Sequence, residues 1–263
     1  MDINLLSTYD YYVVNVRITA INKKQNMPFI SFKNGDGILN YTDQIPECGY
    51  IDVCIDRYTL EDYKEFHKID YQIIDGVYWN EGYNRKMGEI ILKLFNERLR
   101  YKAEGNDALQ LILKLMMNSS YGKTIISKST TKTEIKDHSN KKDFDEYIDK
   151  YFYTIKQIDP LNEKQSIITL TQYDKSYNMA HVGSMILSTS KRIMNEVFDT
   201  ANTHNLNIYY TDTDSIHMDY DGVAILEDEF KKKYGRQLTG KKLGCFHVDF
   251  SMKHNGQAVK NEI

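Results

Sequence analysis

Two aspartates, Asp212 and Asp214, stand two residues apart in the run Tyr209-Tyr210-Thr211-Asp212-Thr213-Asp214-Ser215-Ile216-His217. Carboxylates that close repel each other unless a cation lies between them. Hard oxygen donors suit Mg²⁺, or Mn²⁺ in its place. Mg²⁺ typically takes one or two protein carboxylates and completes its octahedron with water and substrate phosphate. A second set of residues is cationic. Lys114, Asn118 and Tyr121 recur at offsets of four and seven, and Arg98 and Lys102 are four apart. On helices each of these sets shares one face. If the two faces meet, three cations and an amide converge on a groove whose chemistry suits a triphosphate. Each set also has a plainer explanation. Aspartates are common in turns because their side chains bond the local backbone, and basic residues every four positions on a helix usually line a solvated surface. Asn118 is harder to explain that way, because asparagine is a poor helix-interior residue that prefers caps.

The elements that must position these residues follow from periodicity. Leu206, Ile208 and Tyr210 alternate with Asn207 and Tyr209, and Ile216 and Met218 alternate with Ser215, His217 and Asp219. This is the pattern of two half-buried strands joined by a tight hairpin. In extended chain, residues two apart leave the same face, so both carboxylates are expected on one side. Val182 to Asn205 reads as a helix feeding that hairpin, with Met185, Ile186, Ile193, Met194, Val197, Phe198 and Ala201 as its core stripe. From about Asn84 to Lys102, Ile90, Ile91, Leu94, Phe95 and Leu99 form another stripe, and a further helix runs from about Asp107 to Ser119. Between these two, Gly105 supplies a stop and Asn106 or Asp107 a start, which implies an antiparallel helix pair.

The remaining segments fill in a mixed architecture. Val14, Val16 and Ile18 alternate with Asn15, Arg17 and Thr19 in a strand from Tyr11 to Ala20. Asn34-Gly35-Asp36-Gly37 marks a hairpin turn, so residues 1–55 read as strand-rich. Thr59 is expected to cap a short helix running to about Lys68, followed by a strand from Tyr71 to Trp79. Ser127 to Glu146 is polar and reads as a surface excursion with a mobile tip. A short amphipathic helix from Phe144 to Phe152, a strand from Ser166 to Gln172, a charged helix from Leu226 to Tyr234 and a closing strand from Leu243 to Phe250 follow. The predicted fold class is α/β in the α+β sense. An antiparallel sheet carries the aspartate hairpin, the Val182 to Asn205 helix backs it, and a two-helix projection spans about Asn84 to Gly122.

Composition narrows the class without naming a function. The chain has 263 residues and 41% apolar content, enough for a substantial core. A net charge of −3 means that any nucleic-acid partner must be met by local basic patches. Cys48, Cys54 and Cys245 have neither zinc-site spacing nor the density of a secreted disulfide scaffold, so reduced thiols of an intracellular protein are expected. No apolar run approaches about 18 residues, so no membrane span is expected and the protein should be soluble.

The motifs resemble those of family B DNA polymerases. Tyr210-Thr211-Asp212-Thr213-Asp214-Ser215 looks like their metal-binding hairpin, Lys114-x-x-x-Asn118-Ser119-x-Tyr121-Gly122 like their fingers motif, and Arg98-x-x-x-Lys102 like their other triphosphate-contacting pair. The resemblance implies that Asp212 and Asp214 are catalytic metal ligands for Mg²⁺ or Mn²⁺, with Asp214 the bridging one. It implies that Arg98, Lys102 and Lys114 hold nucleotide phosphates with support from Asn118. Tyr121 would stack under the sugar and exclude a 2′-hydroxyl, and Ser119, Gly122 and Thr213 would face DNA. Three runs, Ser184 to Asn195, Tyr209 to His217 and Lys241 to His247, resemble the organellar, linear-plasmid and viral branch, whose members often start from a protein primer. The implied partners are primer-template DNA, deoxynucleoside triphosphates and a terminal protein, and the implied compartment is that of viral, plasmid or organellar replication. By the same resemblance, residues 1–83 are a palm insertion of the terminal-protein type, 84–122 the fingers, 123–165 a second insertion and 166–263 palm.

The family also needs an aspartate in a pattern like Asp-x-x-Ser-Leu-Tyr-Pro, which does not occur here; Asp2-Ile3-Asn4-Leu5-Leu6-Ser7 is a faint echo. An exonuclease domain and a Lys-x-Tyr segment are also absent. The chain is therefore expected to be a polymerase fragment, inactive alone, with a complementary fragment as a further partner. Two alternatives stay open: a noncatalytic nucleic-acid-binding remnant, and an unrelated Mg²⁺-dependent phosphohydrolase that would leave the Lys114 to Gly122 run unexplained.

Overall fold

The computed structural model describes residues 3–127, 129–173, 178–240, 242–247, 250–252 and 258–260. In chain order the elements are β1 (Tyr11–Ile21), β2 (Ile30–Lys33), β3 (Leu39–Thr42), β4 (Ile51–Asp56), α1 (Arg57–Asp62), β5 (Ile69–Trp79), α2 (Lys86–Ala103) and α3 (Asp107–Ile125). There follow β6 (Ser129–Asp137), α4 (Lys141–Tyr151), β7 (Ile155–Pro160), β8 (Gln165–Tyr173), α5 (Ala180–Thr203), β9 (Ile208–Asp212), β10 (Ser215–Met218), α6 (Tyr220–Tyr234), β11 (Phe250–Met252) and β12 (Ala258–Lys260). The class is mixed α and β with antiparallel sheets. Two compact units form, Met1–Asn84 with Ser184–Ile263, and Arg85–Gly183.

In the first unit, the alternation along β1 produces a strand with one dry face. Val14, Val16 and Ile18 are fully buried, and β1 is the centre of an antiparallel sheet ordered β4-β1-β5. Its wet face carries polar cross-strand pairs: Arg17 grips Asp52 through two bonds of 2.8 and 2.7 Å and lies over the Tyr50 ring. The dry face packs with Leu6, Ile30, Ile51, Ile55, Leu60, Tyr63 and Ile69. The Asn34 to Gly37 turn joins β2 to β3 as its composition predicts, with Gly37 at φ +78° and the Asn34 side chain accepting from Asp36 and Ile38.

Thr59 is not the cap of α1. Asp56 is, its carboxylate accepting from the Thr59 amide at 3.0 Å and the Thr59 hydroxyl at 2.6 Å. The same carboxylate takes the Tyr11 hydroxyl at 2.9 Å, so a buried acid with three donors outcompetes the hydroxyl as N-cap. The helix then passes into a π-type turn, Tyr63–His67, that ends at Lys68 with φ +51°.

The second core of this unit lies under the aspartate hairpin. Val197 and Ala201 of α5, Leu226 and Phe230 of α6, and Leu238 are buried, and Leu206, Ile208, Ile216 and Met218 pack against them. The predicted α5 stripe holds at Met194, Val197 and Ala201, whereas Ile186 is exposed. The helix also buries acids and hydroxyls that the stripe did not include. Asp199 accepts from Lys23 (2.6 Å), Gln25 (2.7 Å) and Lys233 (2.8 Å), and these donors hold its carboxyl below the usual range despite burial. Arg192 bonds Asp62 (2.6 Å), Glu61 (3.0 Å) and the Tyr58 carbonyl (2.8 Å), while Asn195 adds a second donor to Asp62.

Two expectations fail here. The hairpin is not part of a larger sheet: β9 and β10 form a two-stranded ribbon, unpaired to any other described strand. The predicted strand from Leu243 to Phe250 begins as a turn, with Gly244 at φ +83° and the Cys245 amide bonded to the Lys242 carbonyl; Phe246 makes an isolated bridge to Thr239, and at the far end Phe250 opens β11, opposite Lys260 of β12. Val248 and Asp249 of that segment lie outside the described residues, as do Asp2, Lys241 and Gln257.

The second unit joins a helix pair to a three-stranded antiparallel sheet, ordered β6-β8-β7. Gly105 (φ +71°) closes the link after α2, and the Asn106 side chain caps α3 by accepting from the Leu109 amide at 3.1 Å. The α2 stripe is shallower than predicted: no α2 residue is buried, and Ile90 and Leu99 are exposed. The polar run after Ser127 is not an excursion. Its residues 129–137 pair with β8 along their whole length, from Ser129↔Tyr173 to Asp137↔Gln165. An edge strand with both faces wet needs no apolar alternation, so its threonine-rich sequence hides the strand. The amphipathic helix begins earlier than predicted, at Lys141 behind the Asn140 cap.

Candidate active site

The ribbon holds its acids in a two-residue turn. Asp212 ends β9 and pairs with Ser215, leaving Thr213 and Asp214 as the connection. Thr213 has φ +52°. A β-branched residue in that region is an outlier, at a strain of about 1–3 kcal/mol that surrounding structure must offset. The Thr213 hydroxyl donates to Asp212 Oδ1 at 3.1 Å, and the Ser215 hydroxyl donates to the Asp212 carbonyl, also at 3.1 Å. Asp212, Thr213 and Asp214 are all exposed. The expectation that strand alternation puts both acids on one face is therefore corrected: Asp214 sits in the turn, not in a strand. Two residues apart, their Cα atoms still lie within about 7 Å of each other.

The ribbon carries a bulge that the sequence pattern concealed. Tyr210 pairs with His217 and Ile208 with Met218, so Tyr209 is an extra residue on β9. The bulge reverses the expected parity. Ile208 stays inward, but Tyr210 turns out, 58% exposed, with its ring against that of His217 at 5.3 Å. Asp219, at the end of β10, caps α6 by accepting from the Gly222 amide at 2.6 Å and also accepts from the Tyr209 hydroxyl at 3.3 Å. Sequence reading missed this role, although aspartate is among the residues most preferred at an N-cap.

The basic set lies on the helix pair of the second unit. Arg98 Nε donates to Gln110 Oε1 at 3.4 Å, which turns Arg98 of α2 toward the α3 face bearing Gln110. Lys114, Asn118 and Tyr121 follow Gln110 on that face at offsets of four, eight and eleven. In the antiparallel pair, Lys102 then sits nearer the link and Lys114 farther from it, about 12 Å apart along the axis, with Arg98 between. Lys102, Lys114, Asn118 and Ser119 are exposed, and Tyr121 and Gly122 half-buried. The helix does not stop near Ser119 but continues to Ile125, so the whole run through Gly122 is helical. Apart from its chain neighbours and the adjoining helix backbone, nothing among the described residues lies within 4 Å of where a Gly122 Cβ would stand.

The donor set at the turn fits a hard divalent cation. Among the described residues no group of three or more His, Cys, Asp or Glu could hold a metal, but two exposed carboxylates meet the protein's usual share of a Mg²⁺ shell.

The pattern that defines DNA polymerase type B, organellar and viral, matches residues 2–204, which includes the helix pair and α5. The chain belongs to that family. Two solved structures agree in fold with this polymerase family. Phi29 DNA polymerase complexed with primer-template DNA and incoming nucleotide substrates matches at a TM-score of 0.56 and 19% identity, over 81% of this chain and 32% of that one. Phi29 DNA polymerase complexed with primer-template DNA matches at 0.53 and 19%, over 80% and 31%. This family member therefore spans about a third of the length of the polymerase chains it resembles. No curated protein sequence matches it. Among the described residues no helix is long and apolar enough to cross a membrane.

Proposed function

We propose that this chain contributes the fingers and most of the palm to DNA-directed DNA synthesis, the transfer of a nucleotidyl group from a deoxynucleoside triphosphate to a primer 3′-hydroxyl. The observation that supports this most is the strained Thr213 turn, which sets two exposed carboxylates on a ribbon packed over a buried core. Strain of that kind clusters at functional sites.

Asp212 and Asp214 bind divalent metal, Mg²⁺ or Mn²⁺, which supplies charge neutralisation for phosphoryl transfer when bound. Arg98, Lys102 and Lys114 hold the triphosphate, and Asn118 orients that contact. Tyr121 packs against the sugar at C2′, where a bulky ring disfavours a 2′-hydroxyl. Ser119, Gly122 and Thr213 face the primer-template. The partners are primer-template DNA, nucleotides, a terminal protein as primer, and a complementary polymerase fragment that supplies a further carboxylate. Without that carboxylate the isolated chain binds nucleotide and metal weakly and does not extend primers.

The test is primer extension with Mg²⁺. The chain alone is expected to be inactive, and activity is expected when a polypeptide carrying an Asp-x-x-Ser-Leu-Tyr-Pro segment is supplied. Asp214→Ala is expected to abolish it. Extension by the reconstituted Asp214→Ala protein at the wild-type rate would overturn the reading in favour of a noncatalytic nucleic-acid-binding remnant.

A further inference from the structure

The side chains of the ribbon are compatible with two registers. Ile208 and Tyr210 alternate on one strand and Ile216 and Met218 on the other, so a hairpin without a bulge satisfies the hydrophobic pattern. That register keeps Ile208 opposite Met218, sets Tyr209 opposite His217 and Tyr210 opposite Ile216, and leaves Asp212, Thr213 and Asp214 as a three-residue loop. The observed register instead pairs Tyr210 with His217 and Asp212 with Ser215, at the cost of one unpaired residue, Tyr209, and a left-handed Thr213. Something outside the apolar pattern must favour it.

We infer that Asp219 is that positioning residue: by holding the Tyr209 bulge, it selects the register that places Asp212 at the end of β9 beside the two-residue turn. One carboxylate spans both partners, the Gly222 amide at 2.6 Å and the Tyr209 hydroxyl at 3.3 Å. The Val223 amide bonds the Asp219 carbonyl at 3.1 Å, so the cap is part of the first turn of α6. A bulged residue has no cross-strand partner, which leaves its side chain able to lean along the ribbon to the cap. In the unbulged register Tyr209 stands across from His217, perpendicular to the ribbon and set back from the end of β10. The joint is also closely packed. A Cβ on Gly222 would stand 2.6 Å from Asp219 Oδ1 and 3.1 Å from Met218 Cε, so glycine is what lets α6 start against the strand end. The inference bears on catalysis only through the metal-binding role proposed above; the register selection stands apart from it.

The test is cross-strand NMR contacts in the ribbon, with Mn²⁺ titration as a second readout, on the full chain and four variants. In wild type, Tyr210 is expected to contact His217. In Asp219→Ala, a Tyr210 contact with Ile216 is expected to appear, with apparent Mn²⁺ affinity lower by about twofold to tenfold, as a partly populated competent state requires. Contacts within the β4-β1-β5 sheet should not change. Tyr209→Phe, which keeps the ring and the cap, is expected to shift the register in the same direction but less. Asp219→Asn, whose amide oxygen can accept from the Gly222 amide while its NH2 donates to the Tyr209 hydroxyl oxygen, is expected to restore the wild-type contacts. An unchanged Tyr210–His217 contact in Asp219→Ala, or failure of Asp219→Asn to restore it, overturns the inference. If the register shifts as expected while Asp212→Ala binds Mn²⁺ as wild type does, the inference stands and the metal-binding reading falls.

Discussion

Asp212 and Asp214 stand at the tip of strands only five and four residues long, whose inward side chains meet Val197 and Phe230, both fully buried. Arg98 and Lys114 stand on helices of 18 and 19 residues in which only Leu113 and Thr124 are buried. Leu111, Ile112, Leu115 and Met116 on the same α3 are each half-exposed or more. The short element is thus fixed by tertiary packing, and the long pair by its own backbone bonds and its link. Ligands of a metal must keep a spacing set to tenths of an ångström. Long, flexible cations reaching for a triphosphate tolerate more play, since guanidinium and ammonium groups adjust through their stems. The two regions carry opposite charge and differ in how rigidly that charge is held.

Substitutions in matched pairs sharpen this contrast. Phe230→Ala is expected to cost about 3–5 kcal/mol, the range for an aromatic lost from a buried core. Leu115→Ala, on the exposed face of α3, is expected to stay within about 0.5 kcal/mol. Chemical denaturation measures both, and equal losses would remove the distinction.

The ionic joint between α5 and α1 gives a pH-dependent version. Burial pushes Asp62 up to about 6, against the pull of Arg192 and Asn195. A folded pKa above the unfolded value favours the protonated folded state, so stability from this group falls as pH rises from about 4 through 6. Arg192→Ala removes the neighbouring charge, pushes Asp62 higher still and leaves an uncompensated buried carboxylate. The expected loss is about 3 kcal/mol at pH 8 and clearly less at pH 5, where Asp62 is protonated in the folded state. A loss that does not vary with pH would show that the joint acts through packing alone.

Smaller effects are expected at the turn and on α3. Thr213→Gly relieves left-handed strain of about 1–2 kcal/mol but adds chain entropy of about 0.5–1 kcal/mol. A net gain of about 0.5 kcal/mol in stability, with weaker metal binding, is the expected trade. Lys114→Ala is expected to leave stability within about 0.5 kcal/mol while lowering triphosphate affinity. A large stability loss instead would mean that Lys114 is a structural residue.

Sequence periodicity revealed what local patterns encode. Val14, Val16 and Ile18 announced β1, Gly105 and Asn106 announced the break between α2 and α3, and the two aspartates marked the hairpin tip. It hid what depends on partners far along the chain. Nothing near Asp199 indicates that Lys23, Gln25 and Lys233 will surround it. The Tyr209 bulge escapes because one extra residue in a pairing leaves the apolar alternation intact on each strand. The residues from Ser129 to Asp137 looked like a loop because an edge strand wet on both faces has no buried period to display. At the candidate site the types of the residues were legible, whereas their arrangement rested on a turn dihedral and a helix cap.

The most direct measurement is Mn²⁺ binding to the chain, followed by electron paramagnetic resonance, for wild type, Asp212→Ala and Asp214→Ala. The expected result is a saturable site in wild type that weakens tenfold or more in either variant, a loss of at least about 1.4 kcal/mol. Binding that is unchanged in both variants would contradict the central claim that this turn exists to hold a metal.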